Sequence, residues 1–401
     1  MPTFRGYRVS AFLTRFLNVH DIPLALTFAV MSGVLILGLA IPFTVIPLLA
    51  LELLGDAQRV SAFYLVAGVI GLVGALVVPM MIDRFGRRWV SIGSTLCIVA
   101  AAIMMPTRTV WALYLGTILY TFGFFAIDIA INVAIMERIP RKTFVRFEAV
   151  RMACLGAGFT LGPWLGVFIS DRIGLWSPFF LMGALTTLVC IYALARGFVV
   201  DRKSMGSSHS NPLRFIPRFL RQPRLKLAYV LALFRSSWWN IFFIYAPIYC
   251  VENGFSDEDA GLVVSLGAAS VMFAPLWSRM GVSMGMRRFL ALGYVSTGIV
   301  ALVMAALSSI PTVGVALLIG ACVCASWLDA VGNSPFVRAV RPHERPEMMS
   351  LYTTYRDVGR IIPQGAFSVI LLVFPLPAVF VVTGAGMLTA TWFTRYIPKR
   401  Y

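Results

Sequence analysis

Apolar runs of about 20 residues or more recur along almost the whole chain, parted by short polar turns. They fall at 22–50, 60–82, 88–106, 109–136, 147–169, 174–199, 227–250, 258–280, 287–308, 311–337, 348–373 and 375–395. Each is long enough to cross a bilayer as a helix, and the short turns force successive helices to be antiparallel neighbours. One connection breaks the rhythm. Residues 200–226 are polar, basic and rich in Ser and Pro (Met205 to Pro212), and they split the chain into two groups of six. The pattern predicts an all-α membrane protein of twelve transmembrane helices, built as two pseudo-symmetric six-helix bundles. The bundles are 1–199 and 227–401, with 200–226 as a cytoplasmic linker. Arg214, Arg218, Arg221, Arg224 and Lys226 make the second part of the linker either a helix on the inner membrane surface or a solvated segment with extra topogenic charge.

Composition agrees with this pattern and narrows the function. Of 401 residues, 59% are hydrophobic and 13% charged, more apolar surface than a water-soluble domain can hide. The spans consume the chain and leave no room for a catalytic or nucleic-acid-binding domain. The net charge of +17 is a matter of topology. Only Arg59, Arg108 and Arg172 fall in odd-numbered turns, and Arg151, Arg235, Arg356 and Arg360 lie inside spans. All other Lys and Arg sit in the tails and even-numbered turns. That bias places both termini in the cytoplasm of a cytoplasmic (inner) membrane, with attraction to anionic lipid as its by-product and no nucleic-acid footprint. The basic amphipathic start (Arg5, Arg8, Phe12, Arg15, Phe16) leads into an apolar stretch long enough to remain as a span, so no cleavable signal is expected. The cysteines lack metal spacing, Cys322-Val-Cys324 included, and His20, His209 and His343 lie in or beside loops. With no nucleotide loop, metal cluster or nucleophile–base pair, neither an enzyme nor a cofactor is expected.

The turn between spans two and three reads Asp83-Arg84-Phe85-Gly86-Arg87-Arg88. It resembles G-x-x-x-D-R-x-G-R-R, the loop signature of the major facilitator superfamily of secondary transporters, with Pro79 where the leading glycine belongs. Span five carries Gly158-x3-Gly162-Pro163-x2-Gly166, which resembles the antiporter signature of that superfamily's drug-exporting branch. Val167 and Ala149 stand where that signature has glycines. The stretch from Tyr114 to Phe125 lacks the charge expected in span four of that branch. Physically, glycines four residues apart form a groove for close helix packing, and the proline supplies a bend. The resemblance implies a central cavity lined by helices one, four, seven and ten. It also implies a loop aspartate that engages the start of span eleven when the outward-open state forms.

The halves echo each other, as in duplicated transporters. Pro79-x3-Asp83 corresponds to Pro275-x3-Arg279, each followed by a basic pair, Arg87-Arg88 and Arg287-Arg288. Asp128-x3-Asn132 corresponds to Asp329-x3-Asn333, at an offset near half the chain.

An ionised side chain in the bilayer core costs at least about 2.5–3.5 kcal/mol, so each needs a partner or a function. The candidates are Asp128, Arg151, Arg235, Asp329, Arg356, Asp357 and Arg360. Asp128 precedes Arg138, and Asp329 precedes Arg338, by under three turns. At about 1.5 Å per residue both lie about 14–15 Å deep. Asn132 and Asn333, one turn on, share a face with their aspartates and can hydrogen-bond them. Asp128, Arg235 and Asp329 are expected to face the cavity, as proton carriers or as a structural ion pair. Span seven adds Trp238, Trp239, Phe242 and Tyr245 as candidate walls, Arg235 and Asn240 as polar anchors, and Pro247 as a bend. On span eleven, Arg356 and Arg360 share a face and Asp357 is spaced to pair with Arg360. These three form either an anion site or a network toward Asp83.

The expected function is secondary active transport of a small amphipathic solute, as proton-coupled export by a monomer. The partners are a small-molecule substrate, protons and membrane lipid. The Asp83–Arg88 turn would act as a latch. Two alternatives stand: a proton-coupled importer of an organic anion using the intramembrane arginines, and an uncoupled receptor or lipid-handling protein.

Overall fold

The computed structural model describes residues 22–139, 143–199, 216–331, 333–340 and 345–397. The expectations for the basic N-terminal stretch, His20, His209, His343 and Arg214 lie outside these residues. Among the described residues every element is a helix. Spans one to six are Ile22–Ala40 with Pro42–Leu54, Ala57–Phe85, Arg87–Met104, Val110–Arg138, Phe144–Ile173 and Trp176–Ala195. A short helix, Ile216–Arg221, precedes span seven, Pro223–Glu252. Span eight is Asp257–Ala269 and Ala274–Met284, joined by a 3-10 turn, Ser270–Phe273; span nine is Met286–Ala306. Span ten is Pro311–Val331, then Ser334–Ala339; span eleven is Arg345–Tyr352, then Tyr355–Ile370; span twelve is Pro377–Phe393.

Ten of these are long and apolar enough to cross a membrane. Spans eight and eleven fall short because they are interrupted. In span eight, Ser270 bonds back to the carbonyls of Gly267 (2.6 Å) and Cys322 (3.0 Å), and Pro275 opens the next piece without an amide donor. The interruptions correct two expectations. Arg356 is not deep inside a continuous helix but in the first turn of Tyr355–Ile370. Asn333 lies at the cap of Ser334–Ala339 rather than inside the helix that carries Asp329.

Packing repeats between the halves. Span one lies on span five, span three on spans four and six, and span two on span four. Seven on eleven, nine on ten and twelve, and eight on ten repeat the arrangement. The two even-numbered turns at Gly86 and Gly285 share a left-handed conformation, φ 82 and ψ 157 against φ 79 and ψ 143. This backbone favours glycine, and it ties the repeat more firmly than the prolines do.

The halves meet where span five packs on the first piece of span eight, span two on span eleven, and the second piece of span one on span seven. The hydrogen bonds across them sit toward the end that carries the odd-numbered turns. Gln58 donates to the Ser368 carbonyl (2.9 Å), and the Trp164 amide donates to Ser265 (2.9 Å). Ser61 and Tyr245 share a 2.6 Å bond, and Tyr245 donates to Gln364 Oε1 (2.6 Å). Toward the other end, the second piece of span eight turns away to pack on span ten.

Candidate functional site

Between the halves lies a cavity of about 410 Å³, within the usual range for small-molecule sites. Spans one, two, four, five, seven, ten and eleven line it. One wall is a run of near-parallel rings. Phe43 stacks on Phe243 (5.3 Å, 9°) and on Phe159 (5.8 Å, 18°), and Phe243 stacks on Trp239 (5.9 Å, 29°). These rings come from spans one, five and seven, so the stack bridges the halves.

The charge is concentrated on the C-terminal half. Arg235 Nε lies 3.7 Å from Asp329 Oδ1, with side chains 10% and 23% exposed. Trp239 Nε1 donates to Asp329 Oδ2 (2.8 Å). Arg235 also donates to the Leu328 carbonyl (3.3 Å) and the Tyr355 hydroxyl (3.2 Å), with Tyr355 also taking Arg356 Nε (3.4 Å). Thus one carboxylate and one phenol oxygen are held among guanidiniums from two spans. Asn240, which lines the same wall, donates to the Ser236 carbonyl one turn back (2.8 Å). Arg360 lies on the cavity with its guanidinium 5.1 Å from the Phe125 ring.

The N-terminal half contributes rings and hydroxyls. Thr117, Thr121 and Phe124 form a stripe on span four that faces the cavity. Asp128 continues that stripe one turn beyond it and does not line the cavity, which corrects the expectation that it faces the center. It makes no ion pair among the described residues, and the cations acting on it are Arg151 and Arg356. Asn132 donates to the Asp128 carbonyl (2.9 Å) and accepts from Arg151 (2.9 Å). Arg151 is held at 2.9 and 2.7 Å by the two carboxylate oxygens of Glu148, an acid one turn before it that the charge survey passed over.

Other expected groups fall elsewhere. Trp238 and Phe242 are buried between helices, away from the cavity. Pro247 sits within an unbroken span seven. Asp357 and Arg360 interact electrostatically, as their spacing suggests, without reaching ion-pair distance. At the Asp83–Arg88 turn, Asp83, Arg84 and Arg88 are exposed, whereas Arg87 is buried against Glu137 of span four (2.8 Å). The span-five glycines form a seam with span one. A methyl on Gly158 would meet the Gly33 carbonyl at 3.0 Å, one on Gly162 the Ala40 Cβ at 2.5 Å, and one on Gly166 the Ile41 carbonyl. Ile41 is where span one breaks before Pro42, so the Gly166 contact falls on that break.

Tyr355, Gln364, Tyr64 and Tyr120 also line the cavity and escaped the sequence reading. Gln364 was within reach of it, because Arg356, Arg360 and Gln364 are spaced four apart on span eleven.

No curated protein matches the chain. Among solved structures, a POT family transporter in complex with 5-aminolevulinic acid superposes with TM-score 0.73 at 13% identity, covering 91% of this chain and 94% of that one. The nucleoside transporter NupG gives 0.72 at 14%, covering 93% and 98%. A bacterial metal transporter gives 0.66 at 16%, covering 92% and 97%. At such identities the likeness is one of fold. The family model described as Major Facilitator Superfamily matches residues 25–362 and, in a second match, 227–401. That coverage, over a fold of paired helical halves around a polar cavity, makes this chain a member of the Major Facilitator Superfamily, a multi-pass secondary transporter rather than an enzyme.

Proposed function

We propose that the protein is a proton-coupled transporter of a small amphipathic organic anion, with Arg235 and Asp329 as its coupling pair. The carrying observation is that this pair lies 3.7 Å apart on the wall of the cavity between the halves. An anionic solute and the Asp329 carboxylate compete for the same guanidinium. A proton on Asp329 releases Arg235 to the solute, so proton and anion bind together. Joint binding is the logic of symport, and an inward proton gradient then drives import. The titratable groups around the pair are Tyr294 of span nine, Tyr352 and Tyr355 of span eleven, and Cys322 of span ten. None of these is a carboxylic acid, so Asp329 is the carboxyl group of this cluster.

The basic even-numbered turns favour a cytoplasmic location for both termini. The hydrogen-bonded end then faces outward, and the cavity serves the cytoplasm in this state. Turnover requires the Ser61–Tyr245–Gln364 and Gln58–Ser368 contacts to part while the Asp83–Arg88 end closes. Proton-coupled export is a second reading, favoured by the close span-one–span-five seam at Gly158, Gly162 and Gly166. In export the proton and solute would exclude each other.

The test is a screen of small organic anions in proteoliposomes with an imposed pH gradient. An acid exterior is expected to speed uptake of at least one anion at least tenfold, and Arg235→Ala to abolish that uptake. Expulsion of cations, with no anion taken up, would favour the exporter. Solute binding that ignores the pH gradient would favour an uncoupled receptor.

A further inference from the structure

The anion-binding reading above leaves one charge unexplained. Arg235 has Asp329 beside it, but Arg360 lines the same cavity with no hydrogen bond or ion pair among the described residues. Its contact is the face of Phe125 at 5.1 Å. Asp357, one turn away on the same helix, acts on it electrostatically without coming within ion-pair distance. A cation–π contact is worth about 0.5–2 kcal/mol, less than the cost of a cation at membrane depth. Arg356, on the same face of span eleven, has a long bond to the Tyr355 hydroxyl (3.4 Å) and lies 5.9 Å from that ring. The cavity wall thus presents three guanidiniums, Arg235, Arg356 and Arg360, against one carboxylate, Asp329, with the Asp357 carboxylate acting on Arg356 and Arg360 from the same helix. When Asp329 carries its proton, two positive charges remain for the occupant to balance.

The spacing is as informative as the count. Arg235 reaches the hydroxyl of Tyr355 (3.2 Å), and Arg360 lies five residues further along the same helix, about 7.5 Å at the usual rise. Arg235 and Arg360 thus reach the cavity from different helices, with the backbone of Arg360 more than one turn beyond that of Tyr355. A solute with an anionic group at each end engages both at once. The stacked wall of Trp239, Phe243 and Phe43 offers a flat apolar surface beside them.

We propose that the transported solute is a two-headed anion: a flat, rigid body with an anionic group at each end, one held by Arg235 and the other by Arg360. An aromatic dicarboxylate is the simplest molecule of this class. This inference rests on the cavity being an anion site, and it adds Arg360 as the residue that selects two charges over one.

The experiment measures ligand binding to the purified full chain in detergent by calorimetry, using terephthalate and 4-carbamoylbenzoate. These probes share ring and shape, but the second carries one carboxylate in place of two. Terephthalate is expected to bind about tenfold more tightly. Arg360→Gln should bring it down to the level of 4-carbamoylbenzoate, whose own affinity stays within about twofold. Arg360→Lys, which keeps the charge, should retain part of the preference and guards against a folding defect. Equal affinity of the two probes for the wild type, or equal weakening of both by Arg360→Gln, overturns the two-headed solute and leaves the anion site standing. If neither probe binds the wild type, the anion reading itself falls with it.

Discussion

Asp128 and Asp329 occupy matching places in the two halves, each followed four residues later by an asparagine, yet their surroundings have little in common. Asp128 sits on an unbroken helix, one turn outside the cavity. Its nearest cationic neighbour on the same half, Arg151, is held by Glu148 and Asn132. Asp329 sits on the cavity wall, with Arg235 and Trp239 on its two oxygens. Duplication supplied the same residue type twice, and the neighbours decided what each can do. An acid whose partner is occupied elsewhere shapes the local field, while one whose partner also faces the solute can trade a proton for it.

The comparison breaks most readily at the arginines. Arg235→Ala leaves Asp329 without its cation beside the cavity and removes the solute's anchor. Truncating one partner of a buried hydrogen-bonded charge pair at a binding interface costs about 2–5 kcal/mol, so anion affinity should fall at least about 30-fold. Arg151→Ala, the matching change in the other half, should cost less than about tenfold in the same binding measurement. Equal losses would erase the distinction.

The span-one seam comes next. A side chain at Gly166 runs into the backbone of Ile41, so Gly166→Val should sharply reduce the yield of folded protein in fluorescence size-exclusion chromatography. Gly156, whose added Cβ would meet nothing within 4 Å, should accept alanine with little change in yield. The gate contacts have smaller effects. Tyr245→Phe removes the hydroxyl that joins Ser61 to Gln364, a loss of about 1 kcal/mol. It should raise cysteine-labelling rates at Gln58→Cys by about fivefold as the outer contacts part more often. Asp128→Asn should change anion transport less than threefold. The mildest change is at the loop. Arg87 is buried while Glu137 stands half exposed, and glutamine keeps an acceptor for the guanidinium, so Glu137→Gln should lower the melting temperature by no more than a few degrees.

Much of the fold was legible because the bilayer demands long apolar helices, and because the Asp83–Arg88 turn and the basic loops mark their order and spacing. Breaks in spans eight and eleven were not legible, since they depend on bonds such as Ser270 to Cys322 made only in the folded chain. The candidate site was half legible. Arg235, Trp239, Asn240, Asp329, Arg356 and Arg360 all stand out as polar or aromatic groups in apolar runs, and all line the cavity. That Asp128 stops one turn short of it depends on how far the cavity extends along span four, which no spacing reveals. Tyr355 and Gln364 were missed because neither carries a charge, although one bridges two arginines and the other accepts from Tyr245.

Proton exchange on binding tests the account most directly. In weakly buffered detergent solution near neutral pH, addition of terephthalate or another bound anion should make the wild-type protein take up about one proton per anion bound, read with a pH-sensitive dye. Asp128→Asn should take up the same amount, and Asp329→Asn should bind the anion with no proton uptake. Proton uptake that survives in Asp329→Asn, or disappears in Asp128→Asn, would contradict the assignment of coupling to the Arg235–Asp329 pair.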